Sequence, residues 1–386
     1  MNNKQRVFWA ACTGMMLFGI VMISLGTINT FLANKLALDG LTIASLAALL
    51  PFGILTGSLV FGPVVDRYGY KIVLISCALL ILIAIEGIAF ASNFFFIQLS
   101  FFMIGFGGGA INGSTNALVA DISAENKGAR LSLLGVFYGI GALGMPMILG
   151  LMSRYFSYNS VVKVIGGFVL LPAIYFSVIR FPEPKHKQGF PLKESINLLR
   201  EKTLILIGFV LFFESGIEGI VNNWTTTYLQ KSIQAEPKNA LFALSSLVIA
   251  LSLTRLALGD LLKRIRPYLV LFGCLFFIAI GSIVMMVSAT YIPSVFGLIF
   301  MGIGFAAGFP VMLGYVSDLY PDFSGTAFSI VFVIALLGNT IINYLVGIIA
   351  HNFGIHHYLT VILISVIAMF ILLSIVLKQI KETIKI

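Results

Sequence analysis

Charge is the scarcest property of this 386-residue chain. Asp, Glu, Lys and Arg together make up 10% of its residues, where a soluble domain carries about 25%. Because 59% of the residues are hydrophobic, a water-facing fold would have too little polar surface to cover itself. That excludes a soluble enzyme, a disordered chain and a nucleic-acid-binding domain. It leaves a polytopic membrane protein whose main solvent is lipid. Cysteine is nearly absent. Cys12, Cys77 and Cys274 lie inside apolar runs without CxxC or metal-ligand spacing, and read as small core residues. No nucleotide loop, metal constellation or nucleophile–base motif is present, so we expect neither an enzyme nor a bound cofactor. His351, His356 and His357 fall in one loop and read as solvated. The N-terminus shows no cleavable signal pattern, and its first apolar run is long enough to be a retained span.

What the chain has in abundance is long apolar runs. Hydropathy separates twelve spans, at 7–33, 41–65, 71–92, 94–120, 131–155, 160–180, 203–229, 240–261, 267–289, 291–318, 325–350 and 357–379. The one long polar link, 182–202, divides an N-terminal set (1–181) from a C-terminal set (203–386), and Lys193–Lys202 within it reads as a short surface helix. The expectation is an all-α membrane protein with twelve transmembrane helices in two six-helix bundles. With both termini cytoplasmic, 19 of the 24 Lys and Arg residues fall on the inner side and 5 on the outer. That asymmetry orients the chain in a bacterial cytoplasmic membrane.

The two sets are copies. Adding 197 to a residue number carries Gly62 to Gly259, Arg67 to Arg264, Gly105 to Gly302, Gly107 to Gly304, Asp121 to Asp318, Gly128 to Gly325, Ser132 to Ser329 and Gly141 to Gly338. One offset holds over about ninety residues without a gap. A parallel six-span repeat predicts two bundles related by an axis along the membrane normal, with a substrate site between them.

After the second span the chain reads Gly62-Pro-Val-Val-Asp66-Arg67-Tyr-Gly69-Tyr-Lys71. Gly62 allows close helix approach and Gly69 a tight turn. Asp66 is placed to latch onto a basic group or a helix end, and Arg67 and Lys71 mark the cytoplasmic side. The run resembles the loop 2–3 signature of the major facilitator superfamily, G-x-x-x-D-R-x-G-R-K, which implies that family's fold. The second copy, Gly259-Asp260-Leu-Leu-Lys263-Arg264, puts Lys263 where Asp66 stands. A symmetric pair of acidic latches is therefore not expected.

Polar groups deep in spans are costly and become functional candidates. Span 7 carries Glu214, Glu218, Asn222, Asn223, Trp224 and Thr225. Residues 214, 218, 222 and 225 recur at helical spacing and predict a polar stripe. Two carboxyls, an amide and a hydroxyl beside an indole suit the hydroxyls and apolar face of a sugar. Two ionised carboxylates one turn apart repel in a low dielectric, so at least one holds a proton or shares a cation. Asn112, Thr115 and Asn116 in span 4, Asn29 in span 1, Asn339 and Asn343 in span 11 and Tyr138 in span 5 complete the binding candidates. Glu86 is alone in span 3 and reads as structural.

Asn112-Gly-Ser-Thr115-Asn116, Glu218-x5-Trp224-x3-Tyr228-Leu229 and Gly141-Ala-Leu-Gly144-Met-Pro146 resemble elements of the fucose–proton symporter and glucose/galactose transporter family. The resemblance implies a secondary transporter that imports a sugar by ion symport, acting as a monomer in the bilayer. Asn112 stands where proton-coupled members have a glutamate, and span 1 lacks their aspartate. Coupling is therefore assigned to Glu218, with Glu214 as its modulator. The coupling ion is a proton, with sodium as the alternative. The competing readings are a drug or metabolite exporter, kept open by 34 phenylalanines, and a non-transporting receptor or scaffold.

Overall fold

Lipid offers no water to a bare backbone, so each apolar run must close its own hydrogen-bond ladder, and the helix does this within a single segment. The computed structural model describes residues 3–36, 40–90, 93–124, 126–152, 155–156, 158–186, 192–288 and 290–384. Within these stretches it leaves out the side chains of 24–36, 40–45, 47, 145–152, 158–159, 161–162, 164–165, 192–193 and 382–384. The described residues form helices and no strand. In chain order these are α1 (Asn3–Leu36), α2 (Gly40–Tyr68), α3 (Tyr70–Phe90), α4 (Phe94–Ile122), α5 (Lys127–Met152), α6 (Tyr158–Val178) and the short α7 (Leu192–Asn197) in the polar link. There follow α8 (Lys202–Ser232), α9 (Pro237–Arg264), α10 (Pro267–Val287), α11 (Tyr291–Gly304), α12 (Gly308–Leu319), α13 (Ser324–Phe353) and α14 (Tyr358–Ile384). Among the described residues, ten helical stretches are long and apolar enough to cross a membrane.

These helices gather into two compact units. One comprises Met1–Ser123, Leu133–Ser195 and Tyr320–Ser329; the other comprises Ala124–Ser132, Ile196–Leu319 and Ile330–Ile386. In the first, α4 packs on α2, α3 and α1, and α6 packs on α3. In the second, α11 packs on α9 and α10, and α14 on α8 and α10. The repeat is visible in this packing. A Cβ at Gly105 would strike the Leu50 carbonyl, and one at Gly302 would strike the Leu247 carbonyl, the same pair carried forward by 197. Only glycine lets α2 and α4, or α9 and α11, come this close.

One pair of corresponding helices differs in its backbone. The helix α4 is continuous, whereas its counterpart breaks at Phe305-Ala306-Ala307 into α11 and α12. The two pieces together still form one apolar stretch, Tyr291–Leu319, long enough to cross a membrane, in keeping with the single span that the sequence predicts at 291–318. Pro310 explains the break, since its nitrogen has no hydrogen to donate to Ala306 and its ring would crowd that carbonyl. Gly302, Gly304 and Gly308 flank the turn and lower the cost of leaving the helix.

Candidate functional site

A broken helix exposes backbone N–H groups at the start of its second half. In the second unit, the N–H of Phe309 finds the carboxylate of Glu214, donating to Oε1 at 3.2 Å. Glu214 is 2% exposed, and its Oε2 has no hydrogen-bond partner among the described residues. Gly308 makes this approach possible, because a Cβ there would overlap the carboxylate. A small cavity of about 10 Å³ adjoins the carboxylate, Cys274, Gly304 and Met312. That is room for about one water or ion. Glu218, one turn along α8, is half-buried, and its side chain has no hydrogen bond among the described residues. Arg255 of α9 acts electrostatically on both carboxylates, and its buried Nε has no hydrogen-bond partner among the described residues. The second unit thus contains two acids and one guanidinium inside the apolar bundle.

The predicted stripe on α8 divides. Each i, i+4 step drifts by about 40° around the helix, whereas eleven residues return to within about 20°. Thr225 therefore lies close in direction to Glu214. It is buried, with its hydroxyl 3.4 Å from the Tyr358 hydroxyl of α14. Asn222 has rotated into the open, its Nδ2 donating to the Glu218 carbonyl at 2.9 Å. The neighbouring face of α8 meets α13 through an amide ladder. Asn223 Nδ2 donates to Asn343 Oδ1 at 2.9 Å, Asn343 Nδ2 to the Asn339 carbonyl at 2.9 Å, and Asn339 Nδ2 to the Ser215 carbonyl at 2.9 Å. Trp224 is half-buried against Gly347.

In the first unit, Asn116 Nδ2 donates to the Asn112 carbonyl at 2.8 Å and to Asn112 Oδ1 at 3.1 Å. Thr115 is fully buried, with its hydroxyl on the Asn112 carbonyl and its methyl against Gly14 of α1. The ring of Tyr138 is half-buried and lies 5.7 Å from that of Phe18. Asn29 lies on α1, but its side chain is outside the described residues. The structure thus joins Asn112 with Asn116, and Asn223 with Asn343 and Asn339. Glu86 lies against Gly166 of α6.

The 62–71 motif belongs to the first unit. Helix α2 ends at Tyr68 because Gly69 turns into the left-handed region at φ 85°. Asp66 is 1% exposed and caps the N-terminus of α13. The N–H of Gly325 donates to its Oδ1 at 3.1 Å, and the N–H and hydroxyl of Thr326 donate to Oδ2 at 2.8 and 2.7 Å. Gly62 sits against the Gly325 carbonyl and Ser329. Arg67 and Lys71 are exposed, with the Arg67 guanidinium 5.0 Å from the Tyr68 ring centroid. A cation from the polar link reaches the same helix end. Lys185 Nζ pairs with Asp121 at 2.9 Å and donates to the Ser324 hydroxyl at 2.5 Å and the Pro321 carbonyl at 2.6 Å. In the second unit the counterpart is direct, with Lys127 at 2.6 Å from Asp318. Under the 197 offset Lys127 corresponds to Ser324 and Asp121 to Asp318. Lys185 therefore supplies the cation that position 324 lacks. Ser329 donates to the Ser58 carbonyl at 2.6 Å, and Ser132 to the Arg255 carbonyl at 2.9 Å, again the same bond in both copies. Lys263 pairs with Asp260 at 2.8 Å.

In the sequence, Arg255 and Lys185 stand out only as topology markers. A signal for Arg255 was present, since residue 255 falls inside the 240–261 run. Lys185 carried none, because a lysine in a polar link does not declare its partner.

Residues 10–295 match the profile of the Major Facilitator Superfamily. The glucose/mannose transporter GlcP of Bacillus subtilis is 24% identical over 345 residues, spanning 85% of this chain and 84% of that one. The multi-drug resistance efflux pump PmrA homolog of Lactococcus lactis is 23% identical over 210 residues, 53% of this chain and 52% of that one. The crystal structure of the Escherichia coli fucose:proton symporter FucP superposes with a TM-score of 0.81 at 16% identity, covering 97% of this chain and 99% of that one.

Proposed function

The chain belongs to the Major Facilitator Superfamily, a multi-pass membrane transporter and not an enzyme, and from that premise we propose that it imports a hexose or related small polar solute by ion symport through alternating access. The observation that carries the reading is the charge cluster of Glu214, Glu218 and Arg255 beside the amide ladder of α8 and α13. Two carboxylates and one guanidinium leave one uncompensated negative charge in an apolar bundle, and such a charge is expensive. Binding one proton, or one sodium ion, makes the cluster neutral. Glu214 is anchored at the start of α12, which leaves Glu218 as the group that exchanges the ion. Protons are the first choice and sodium the alternative. The amides of Asn222, Asn223, Asn339 and Asn343 offer both donors and acceptors to sugar hydroxyls, and Trp224 offers a ring face. The amides of Asn112 and Asn116 and the phenol of Tyr138 are assigned to the same task in the first half, with Asn29. Similarity to a glucose/mannose transporter supports the sugar class. The protein works as a monomer in a bacterial cytoplasmic membrane, with both termini inside and with 1–181 and 203–386 as its functional halves.

A second reading, export of hydrophobic drugs, is favoured by the similarity to an efflux pump. One experiment separates the two. Purified protein is screened for thermal stabilisation by hexoses and by hydrophobic cations, and hits are followed by uptake into proteoliposomes under a pH gradient alone and a sodium gradient alone. Stabilisation and gradient-driven uptake of a hexose support import. Stabilisation by hydrophobic cations with no response to any sugar refutes it.

A further inference from the structure

The first unit carries an apolar groove of about 620 Å³ between α1, α5 and α6. Its rim is open, since Ile140, Phe168 and Leu171 are all more than half exposed. Part of its depth comes from Gly144, where an added Cβ would meet no atom within 4 Å. The groove shares one wall residue with a neighbouring depression. Tyr175 lines it and also lines a second, open depression of about 850 Å³ formed with Asn3, Arg6, Ile179 and Arg180. Two hydrogen bonds fix this end. Tyr175 donates its hydroxyl proton to the Arg6 carbonyl at 3.2 Å, and Asn3 Nδ2 donates to the Arg180 carbonyl at 3.1 Å. Both contacts use the arginine backbones. The two guanidinium groups are exposed, and neither enters an ion pair among the described residues. Among the described residues, no acidic side chain lines the depression.

An open apolar groove adjoining two arginines that make no ion pair among the described residues has the chemistry of a lipid with a negative headgroup. The guanidinium fork matches phosphate oxygens in bidentate fashion. Basic pockets between helices at a membrane surface recognise anionic headgroups in this way. We propose that this face of the first unit binds one anionic phospholipid, with its phosphate between Arg6 and Arg180 and an acyl chain along the groove past Gly144. A free phosphate would use only the arginines and would leave the groove empty. The site is separate from the carboxylate cluster, so it stands whatever solute is carried.

The test is native mass spectrometry of the full-length chain in mild detergent, titrated with phosphatidylglycerol and with phosphatidylcholine of matched acyl chains. One phosphatidylglycerol should be retained in roughly ten- to thirty-fold preference, the share expected from two arginines at a membrane surface. The double variant Arg6→Gln/Arg180→Gln should bring the two lipids to equal retention. Gly144→Leu adds a side chain where the protein has open space, so the fold is kept while the groove is filled, and retention of phosphatidylglycerol should drop several-fold. Equal retention of both lipids by the unaltered chain, a preference that survives the double variant, or full retention in Gly144→Leu would each overturn the proposal. Displacement of the lipid by glycerol phosphate at equal concentration would also overturn it, because that assigns the arginines to a free phosphate.

Discussion

Replacing Asp66 by asparagine isolates the electrostatics of the α13 cap, because the side chain keeps its shape and loses its charge. The carboxylate now receives three hydrogen bonds on two oxygens. An asparagine has one accepting oxygen, so its amide nitrogen must face either the Gly325 N–H or the donors of Thr326. At least one backbone N–H is left unpaired at a position that is 1% exposed. Losing one charge-assisted bond costs about 1.5–3 kcal/mol, and removing an anion from a helix N-terminus adds about 0.5–1 kcal/mol. A total of about 2–4 kcal/mol corresponds to a change of roughly thirty-fold to nearly a thousand-fold in the opening equilibrium of the cap. Hydrogen–deuterium exchange of a peptide covering 320–330 reads that equilibrium directly. Exchange there should accelerate by a factor in this range, with peptides from α10 and α14 unchanged. In proteoliposomes, transport should become much slower while equilibrium solute affinity changes far less. Unchanged exchange at 320–330, or normal transport combined with weakened binding, would refute the reasoning.

Lys185→Ala should accelerate exchange in the same peptide by about two- to five-fold, since the lost pair with Asp121 is only partly buried. Adding Ser324→Lys to that variant should restore protection, because it recreates the direct lysine–aspartate geometry of Lys127 and Asp318. Glu218→Gln should abolish accumulation under a pH or sodium gradient yet permit solute exchange, because the amide imitates the protonated acid; concentrative uptake by this variant would remove Glu218 from the coupling role. Gly308→Ala should lower stability by about 1–3 kcal/mol, read as a lower thermal midpoint, because the methyl displaces the Glu214 carboxylate and strands the Phe309 N–H. If Glu214→Ala and the double variant show the same loss as Gly308→Ala, the two residues act as one unit.

Composition and repetition made the fold legible. Apolar runs must become helices in lipid, and a fixed offset must reproduce itself in packing, as Gly105 and Gly302 do against Leu50 and Leu247. The turn at Gly69 was equally readable, since a glycine after a charged helix end has one common use. The candidate site was less open to inspection, for reasons that differ by residue. Hydropathy averages over a window, so it passed across the break before Pro310 although the proline stood in view. Helical spacing grouped Asn222 with Thr225, but a 40° drift per step is enough to turn one outward while the other meets Tyr358. The Asn223–Asn343 and Lys185–Asp121 contacts join residues 120 and 64 positions apart. Contacts of that kind depend on the whole topology and leave no local trace.

The make-up of the first unit has a consequence for biosynthesis. Residues 320–329 belong to the first unit and 124–132 to the second. Asp66 is translated and inserted early, yet the amides that neutralise it are separated from it by 259 and 260 positions. Throughout elongation, and until α13 leaves the ribosome, the N-terminal unit waits in the membrane with this aspartate uncapped and Lys185 without Ser324. Its final locking is therefore a late event in the life of the nascent chain, and a truncation that stops before residue 320 releases an N-terminal unit that can never close its own cap.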